Sequence, residues 1–143
     1  MHVKNILSVK GSNVVSIEPT ATLETAVKTL AKHRIGALLV LGPDRRVIGI
    51  LSERDIVIAL AQQGAGVLKQ SVSSVMTRKV VTCGENETVA TIMERITTGK
   101  FRHVPVIEQD KVTGIISIGD VVKHRLQEIE QESEALRDYI QTA

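Results

Sequence analysis

The sequence predicts an α+β fold in which one β-α-β-β-α unit is used twice and the two copies pack sheet to sheet. Three features carry that prediction. The heptad Gly49-Ile50-Leu51-Ser52-Glu53-Arg54-Asp55 returns 65 residues on as Gly114-Ile115-Ile116-Ser117-Ile118-Gly119-Asp120, with Gly, Ile, Ser and Asp in register. The apolar stripe Leu23, Ala26, Val27 and Leu30 returns 66 residues on as Val89, Ile92, Met93 and Ile96, and each stripe follows a threonine, Thr22 or Thr88, placed as a helix N-cap. Phe101 and Tyr139 are the only aromatic residues, so the core must be built from Ile, Val, Leu and Ala.

Taken in order, Val3, Ile6 and Leu7 mark a short lead-in helix, and Val14-Val15-Ser16-Ile17 reads as a strand. The helix capped by Thr22 follows, with Gly36 as its break. Ala37 to Leu41 is a short apolar run suited to a buried strand, Gly42-Pro43-Asp44-Arg45-Arg46 a turn, Val47 to Leu51 the next strand, and Ser52 to about Gln63 a helix. The second copy repeats the series: lead-in Val72, Val75 and Met76, strand Val80-Val81-Thr82-Cys83, the helix after Thr88, strands His103 to Ile107 and Val112 to Ile116 around a turn, and a helix from Ser117. One residue is lost in that second turn, where deletion costs least. The expected divisions are 3–64 for the first unit, 65–75 for a linker and lead-in helix, 76–125 for the second unit and 126–143 for a helical extension. In that extension the small or apolar positions 126, 129, 133, 136 and 140 step by three and four, a narrow seam suited to a partner helix and hence to a homodimer, although Ser133 interrupts it.

Composition bounds the function. The chain has 143 residues, 18 basic and 16 acidic, a net charge of +2 that gives no footprint for nucleic acid. The single Cys83 excludes an internal disulfide and fits a reducing compartment, as a small buried residue. Met1 to Leu7 holds no signal-peptide core, and the longest apolar run, Ala37 to Leu41, is too short to span a bilayer. A soluble cytoplasmic protein without membrane contact is expected.

The repeated Ser-x-x-Asp has two readings. It is a helix capping box, with Ser52 and Ser117 as N-caps. It also suits a phosphate-bearing nucleoside: the helix mouth offers N–H groups and positive dipole to a phosphate, the hydroxyl adds a donor, and the carboxylate accepts from a vicinal diol. Enzymatic signals are missing. There is no Gly-x-x-x-x-Gly-Lys-Ser/Thr loop, no Gly-x-Gly-x-x-Gly after a strand, and His2, His33, His103 and His124 form no zinc spacing with Cys83. No catalysis and no metal are therefore expected.

With these motifs in hand, residues 3 to 125 resemble a tandem pair of cystathionine-beta-synthase (CBS) domains of the stand-alone bacterial type, regulatory modules also found in IMP dehydrogenase, chloride channels and the gamma subunit of AMP-activated protein kinase. The resemblance rests on the two heptads and on Arg102-His103-Val104-Pro105-Val106. It implies two clefts related by a pseudo-twofold axis, each able to take an adenosine nucleotide: AMP, ADP, ATP or NAD(H). In one, Asp120 would hold the ribose, with Ser117 and Gly119 beside the phosphate, His103 or Arg102 supplying positive charge, and Lys10, Val15, Ile35 and Gly36 as the opposing wall. In the other, Asp55 would take the ribose and Ser52 and Arg54 the phosphate, against Thr77, Lys79, Val81 and Phe101. Because Arg54 aligns with Gly119 and Glu53 with Ile118, the clefts should not be equivalent. An unidentified regulated protein would read the ligand state. The alternative is a homodimeric scaffold indifferent to nucleotide, in which Ser-x-x-Asp only caps helices.

Overall fold

The computed structural model describes residues 1–142. The order is α1 (Val3–Lys10), β1 (Ser16–Ile17), α2 (Leu23–His33), β2 (Ala37–Leu41), β3 (Val47–Ser52), α3 (Glu53–Gln63), α4 (Val89–Gly99), β4 (His103–Glu108), β5 (Lys111–Ser117) and α5 (Ile118–Thr142). The expected α+β architecture of two like units is present, with the long C-terminal helix. In the first copy β1 runs parallel to β2 and β2 antiparallel to β3, pairing Ala37 with Ser52. In the second, β4 and β5 form an antiparallel pair in the matching register, His103 opposite Ser117. Leu38 and Val40 enter the first core and Val104 and Val106 the second. Strand alternation turns Leu39 and Pro105 to the opposite faces, where both are also buried, as strands covered on two sides require.

Local chemistry fixes the helix ends. Thr22 and Thr88 accept from the backbone N–H groups of Thr25 and Thr91, as their spacing predicts. Leu23, Ala26 and Leu30 are buried, as are Val89, Ile92 and Ile96, but Val27 is exposed and Met93 only half-buried. A helix packed on one side buries a narrow stripe, and the i+4 position lies on its rim. The expected break at Gly36 is made earlier by Arg34, which closes α2 in the left-handed region at φ 53; Lys100 closes α4 the same way at φ 58. Both stand 66 positions apart, so a duplicated helix end uses a cation in place of the usual glycine.

Three expected elements are corrected. Val14 and Val15 precede the strand, although Leu39 N–H still donates to the Val15 carbonyl. Val80 to Thr82 form no strand; Cys83 alone bridges Val106, donating to Pro105 and accepting from Ile107. The lead-in of the second copy is no α-helix but a pair of 3-10 turns, Ala65–Lys69 and Val72–Ser74.

The lead-ins also exchange partners. Val3, Ile6 and Leu7 of α1 pack in the second core, with Ile92, Val104 and Ile116, while Val67, Val72 and Met76 pack in the first, with Leu23, Leu38 and Leu51. Backbone bridges pin each crossover: His2 against Thr88 and Ser71 against Thr22. The crossings explain the repeated glycine of the heptads. A Cβ on Gly114 would stand 2.5 Å from Leu7 Cδ2, and one on Gly49 2.5 Å from Met76 Sδ. The glycines let the crossing side chains lie against the strands.

Candidate functional site

The two Ser-x-x-Asp elements are capping boxes in full. Ser117 Oγ accepts from Asp120 N–H at 3.2 Å while Asp120 Oδ2 accepts from Ser117 N–H at 2.9 Å. Ser52 and Asp55 repeat this at 3.2 and 3.0 Å. Capping thus occupies one oxygen of each carboxylate. Among the described residues no donor reaches Asp120 Oδ1, which is open to one hydroxyl of a ligand.

Around Ser117 lies a cleft of about 330 Å³, lined from the first copy and its approach by Lys10, Asn13, Val15, Arg34, Ile35, Gly36 and Ala37 and from the second by His103, Ile115 and Ser117. That is within the size range of small-molecule sites. Lys10, Val15, Ile35, Gly36, His103 and Ser117 all line this one cavity. Lys10 Nζ donates to Asp120 Oδ2 at 2.6 Å and to the Ile115 carbonyl at 2.9 Å, so Asp120 adjoins the same cleft. Two expected residues contribute less. Arg102 is exposed, its carbonyl accepting from Ile118 N–H, and Gly119 is exposed in the first turn of α5.

Electrostatics in this cleft are mixed. Partial burial raises the Asp120 pKa, but the Lys10 ammonium and the hydrogen bonds from Ser117 outweigh it and hold the carboxyl below its usual value. Burial is the main force pushing His103 below the ordinary imidazole range, helped by Lys10 and Arg102 and opposed by Glu53 and Asp120. The Glu53 carboxylate reaches across toward Gly36: its Oε1 stands 2.9 Å from where a Cβ would sit on that residue, and His103 Nε2 stands 3.5 Å away from the same point. A side chain at position 36 would require the carboxylate tip of Glu53 to shift. Glu53 therefore belongs with the charges of the cleft beside Ser117 and not with a phosphate at Ser52.

In the matching region of the first copy, Asp55 meets Ser52 and the Thr77 hydroxyl, which donates to Oδ1 at 3.3 Å. Thr77 is held by paired backbone hydrogen bonds with Ile50, each 2.9 Å. Arg54 and Lys79 are exposed and, among the described residues, form no ion pair. Val81 is exposed and Phe101 is half-buried against the second core.

Sequence reasoning missed Asn13, Arg34, Ala37 and Ile115. Arg34 had a readable signal, the cation 66 residues before Lys100 at the end of the repeated helix. Asn13 had none, since its approach to the cleft depends on how α1 crosses the molecule. Among the described residues there is no cluster of His, Cys, Asp and Glu able to hold a metal ion, and no helix is long and apolar enough to cross a membrane.

Comparison with known proteins agrees with this architecture. The family model "CBS domain" matches residues 3–62 and 72–127. A CBS-domain containing protein from Agrobacterium tumefaciens is 50% identical with a TM-score of 0.85, over 87% of this chain and 99% of that one. A CBS domain protein from Pyrobaculum aerophilum, complexed with AMP, is 27% identical with a TM-score of 0.75, over 84% and 89%. A CBS domain pair in complex with 5′-methylthioadenosine and S-adenosyl-L-methionine is 26% identical with a TM-score of 0.79, over 90% and 98%. Against curated relatives the chain spans 60% of the length of one and 23% of another. With two family matches falling on the two structural copies, the chain is a tandem CBS-domain pair and belongs to the CBS-domain family.

Proposed function

We propose that this chain is a non-catalytic regulatory module that binds an adenosine nucleotide (AMP, ADP, ATP or NAD(H)) between its two copies, and that the bound state is read by a regulated protein. The observation that carries the reading is the cleft in which Lys10, Gly36, His103 and Ser117 converge from both copies, with Asp120 beside it. In this reading Asp120 takes the ribose, Ser117 and Gly119 lie toward the phosphate, Arg102 and Lys10 contribute positive charge, and His103 offers a neutral imidazole. Asp55, Ser52 and Arg54 serve the second cleft, with Thr77, Lys79, Val81 and Phe101 as its wall. The adenosine ligands of the two structural relatives support the ligand class.

Thermal denaturation with each nucleotide tests this. Ligand at 100 times its dissociation constant adds about 2.7 kcal/mol, a rise of several degrees in Tm. No rise with any of the four sinks the reading. Calorimetry with Asp120→Asn and Asp55→Asn then assigns the clefts, each substitution weakening its own site about tenfold to a hundredfold through loss of a charged hydrogen bond.

A second reading, a homodimeric scaffold indifferent to nucleotide, is favoured by one observation. Leu126, Ile129, Leu136 and Ile140 of α5 are 46 to 65% exposed along one row. Glu130 and Arg137 flank that row with opposite charge, so two copies running antiparallel about Ser133 bring each glutamate to the other copy's arginine. Sedimentation of Leu136→Asp decides it: a monomer supports pairing through α5, and an unchanged mass rules it out.

A further inference from the structure

The two carboxylates of the Ser-x-x-Asp elements are met from across the molecule by different groups doing the same work. In the first copy, the Ile50 carbonyl accepts from Thr77 N–H, and the Thr77 hydroxyl reaches Asp55. In the second, the matching carbonyl of Ile115 accepts from Lys10 Nζ, and the same ammonium donates to Asp120. A threonine pinned by two backbone hydrogen bonds is replaced by a lysine on a flexible stem. Asp120 Oδ2 already accepts both the N–H and the hydroxyl of Ser117, at 2.9 and 3.0 Å, so Lys10 completes its coordination.

The lysine reaches Asp120 on a long side chain from the end of an anchored helix. It is the last residue of α1, whose Val3, Ile6 and Leu7 are locked in the second core, and the next residue, Gly11, turns the chain at φ 98. The Lys10 and Asp120 side chains keep 35% and 24% of their surface exposed, and Lys10 lines the cleft itself. An anion entering the cleft would find this ammonium within the wall, engaged with the carboxylate assigned to the ribose.

Building on the adenosine-ligand reading of this cleft, we propose that Lys10 is a charge-reading latch: its ammonium holds Asp120 until the phosphate of a nucleotide draws it away and frees the carboxylate for the ribose diol. A neutral nucleoside can place one hydroxyl on Oδ1 but must break the ion pair to place its second on Oδ2, with nothing to receive the released ammonium, whereas a phosphorylated one receives it. The cleft beside Ser117 therefore discriminates by ligand charge. The cleft beside Ser52, where a neutral hydroxyl meets the carboxylate, has no such latch.

Calorimetry with AMP and with adenosine, on the full chain carrying Asp55→Asn to silence the other cleft, tests the latch. Lys10→Met is expected to weaken AMP about tenfold and to tighten adenosine, collapsing the preference for AMP, whereas weaker AMP with adenosine unchanged would reduce Lys10 to a phosphate contact and overturn the latch. Lys10→Gln, which keeps a neutral donor for Ile115, should give the same result and guards against a folding defect in the methionine variant. Parallel weakening of both ligands, or an unchanged AMP-to-adenosine ratio, overturns the latch while leaving the nucleotide cleft standing. If AMP fails to bind the parent chain with Lys10 in place, the cleft reading and the latch fall together.

Discussion

The first and second copies share a backbone plan down to the capping boxes, yet their carboxylates live in different company. Asp55 is met by the Thr77 hydroxyl and Asp120 by the Lys10 ammonium; Ser52 faces Ala37 across its strand pair and Ser117 faces His103. Duplication preserves what hydrogen bonds within a few residues enforce, and lets the long-range neighbours drift. In a tandem CBS-domain pair that drift is where the two copies come to differ in the charges around their carboxylates.

The largest effect expected from this comparison concerns the exchanged lead-ins. Ile6→Ala removes a fully buried side chain and should cost about 2–5 kcal/mol in denaturant unfolding. Amide exchange should locate the loss in β4 and β5 and not in β2 and β3, because Ile6 packs in the second core. Equal protection of β4 and β5 in variant and parent would break the assignment. Next comes the crossing itself. Gly114→Ala should cost about 1–3 kcal/mol by pressing a methyl into Leu7. In a chain already carrying Leu7→Ala the same substitution should cost less, a coupling measurable by a double-mutant cycle.

A smaller effect separates the two copies by pH. His103 has a folded pKa below the ordinary 6.5, so the unfolded chain binds the proton more readily. Stability should therefore fall as pH drops below 6.5 toward the folded value, and His103→Gln should flatten that part of the profile. The groups acting on the imidazole are Lys10, Glu53, Asp120 and Arg102, and the first copy has Ala37 in its place. Melting curves from pH 7 to pH 5 in which the variant tracks the parent would remove His103 from the account. The least change is expected at Cys83, which stands where the first copy has Ile17. Burial, with Glu87 adding repulsion, pushes its thiol up to about 12, so alkylation at neutral pH should track unfolding only. Rapid labelling of the folded chain would contradict that burial.

The residues themselves determined the doubled unit, the caps at Thr22, Thr88, Ser52 and Ser117, the buried strands and the long α5, because each follows from periodicity or hydrogen bonds spanning a few positions. In the cleft beside Ser117 the repeat marks only Ser117, Gly119 and Asp120; Lys10, Val15, Ile35, Gly36 and His103 were named through the family resemblance. Tertiary structure alone decided that α1 completes the second core, that Glu53 turns toward Gly36, and that Lys10 and not a backbone segment meets Ile115 and Asp120. The first and last of those outcomes join residues about a hundred positions apart, and no local pattern records where a chain crosses itself or which of several cations a half-buried carboxylate will hold.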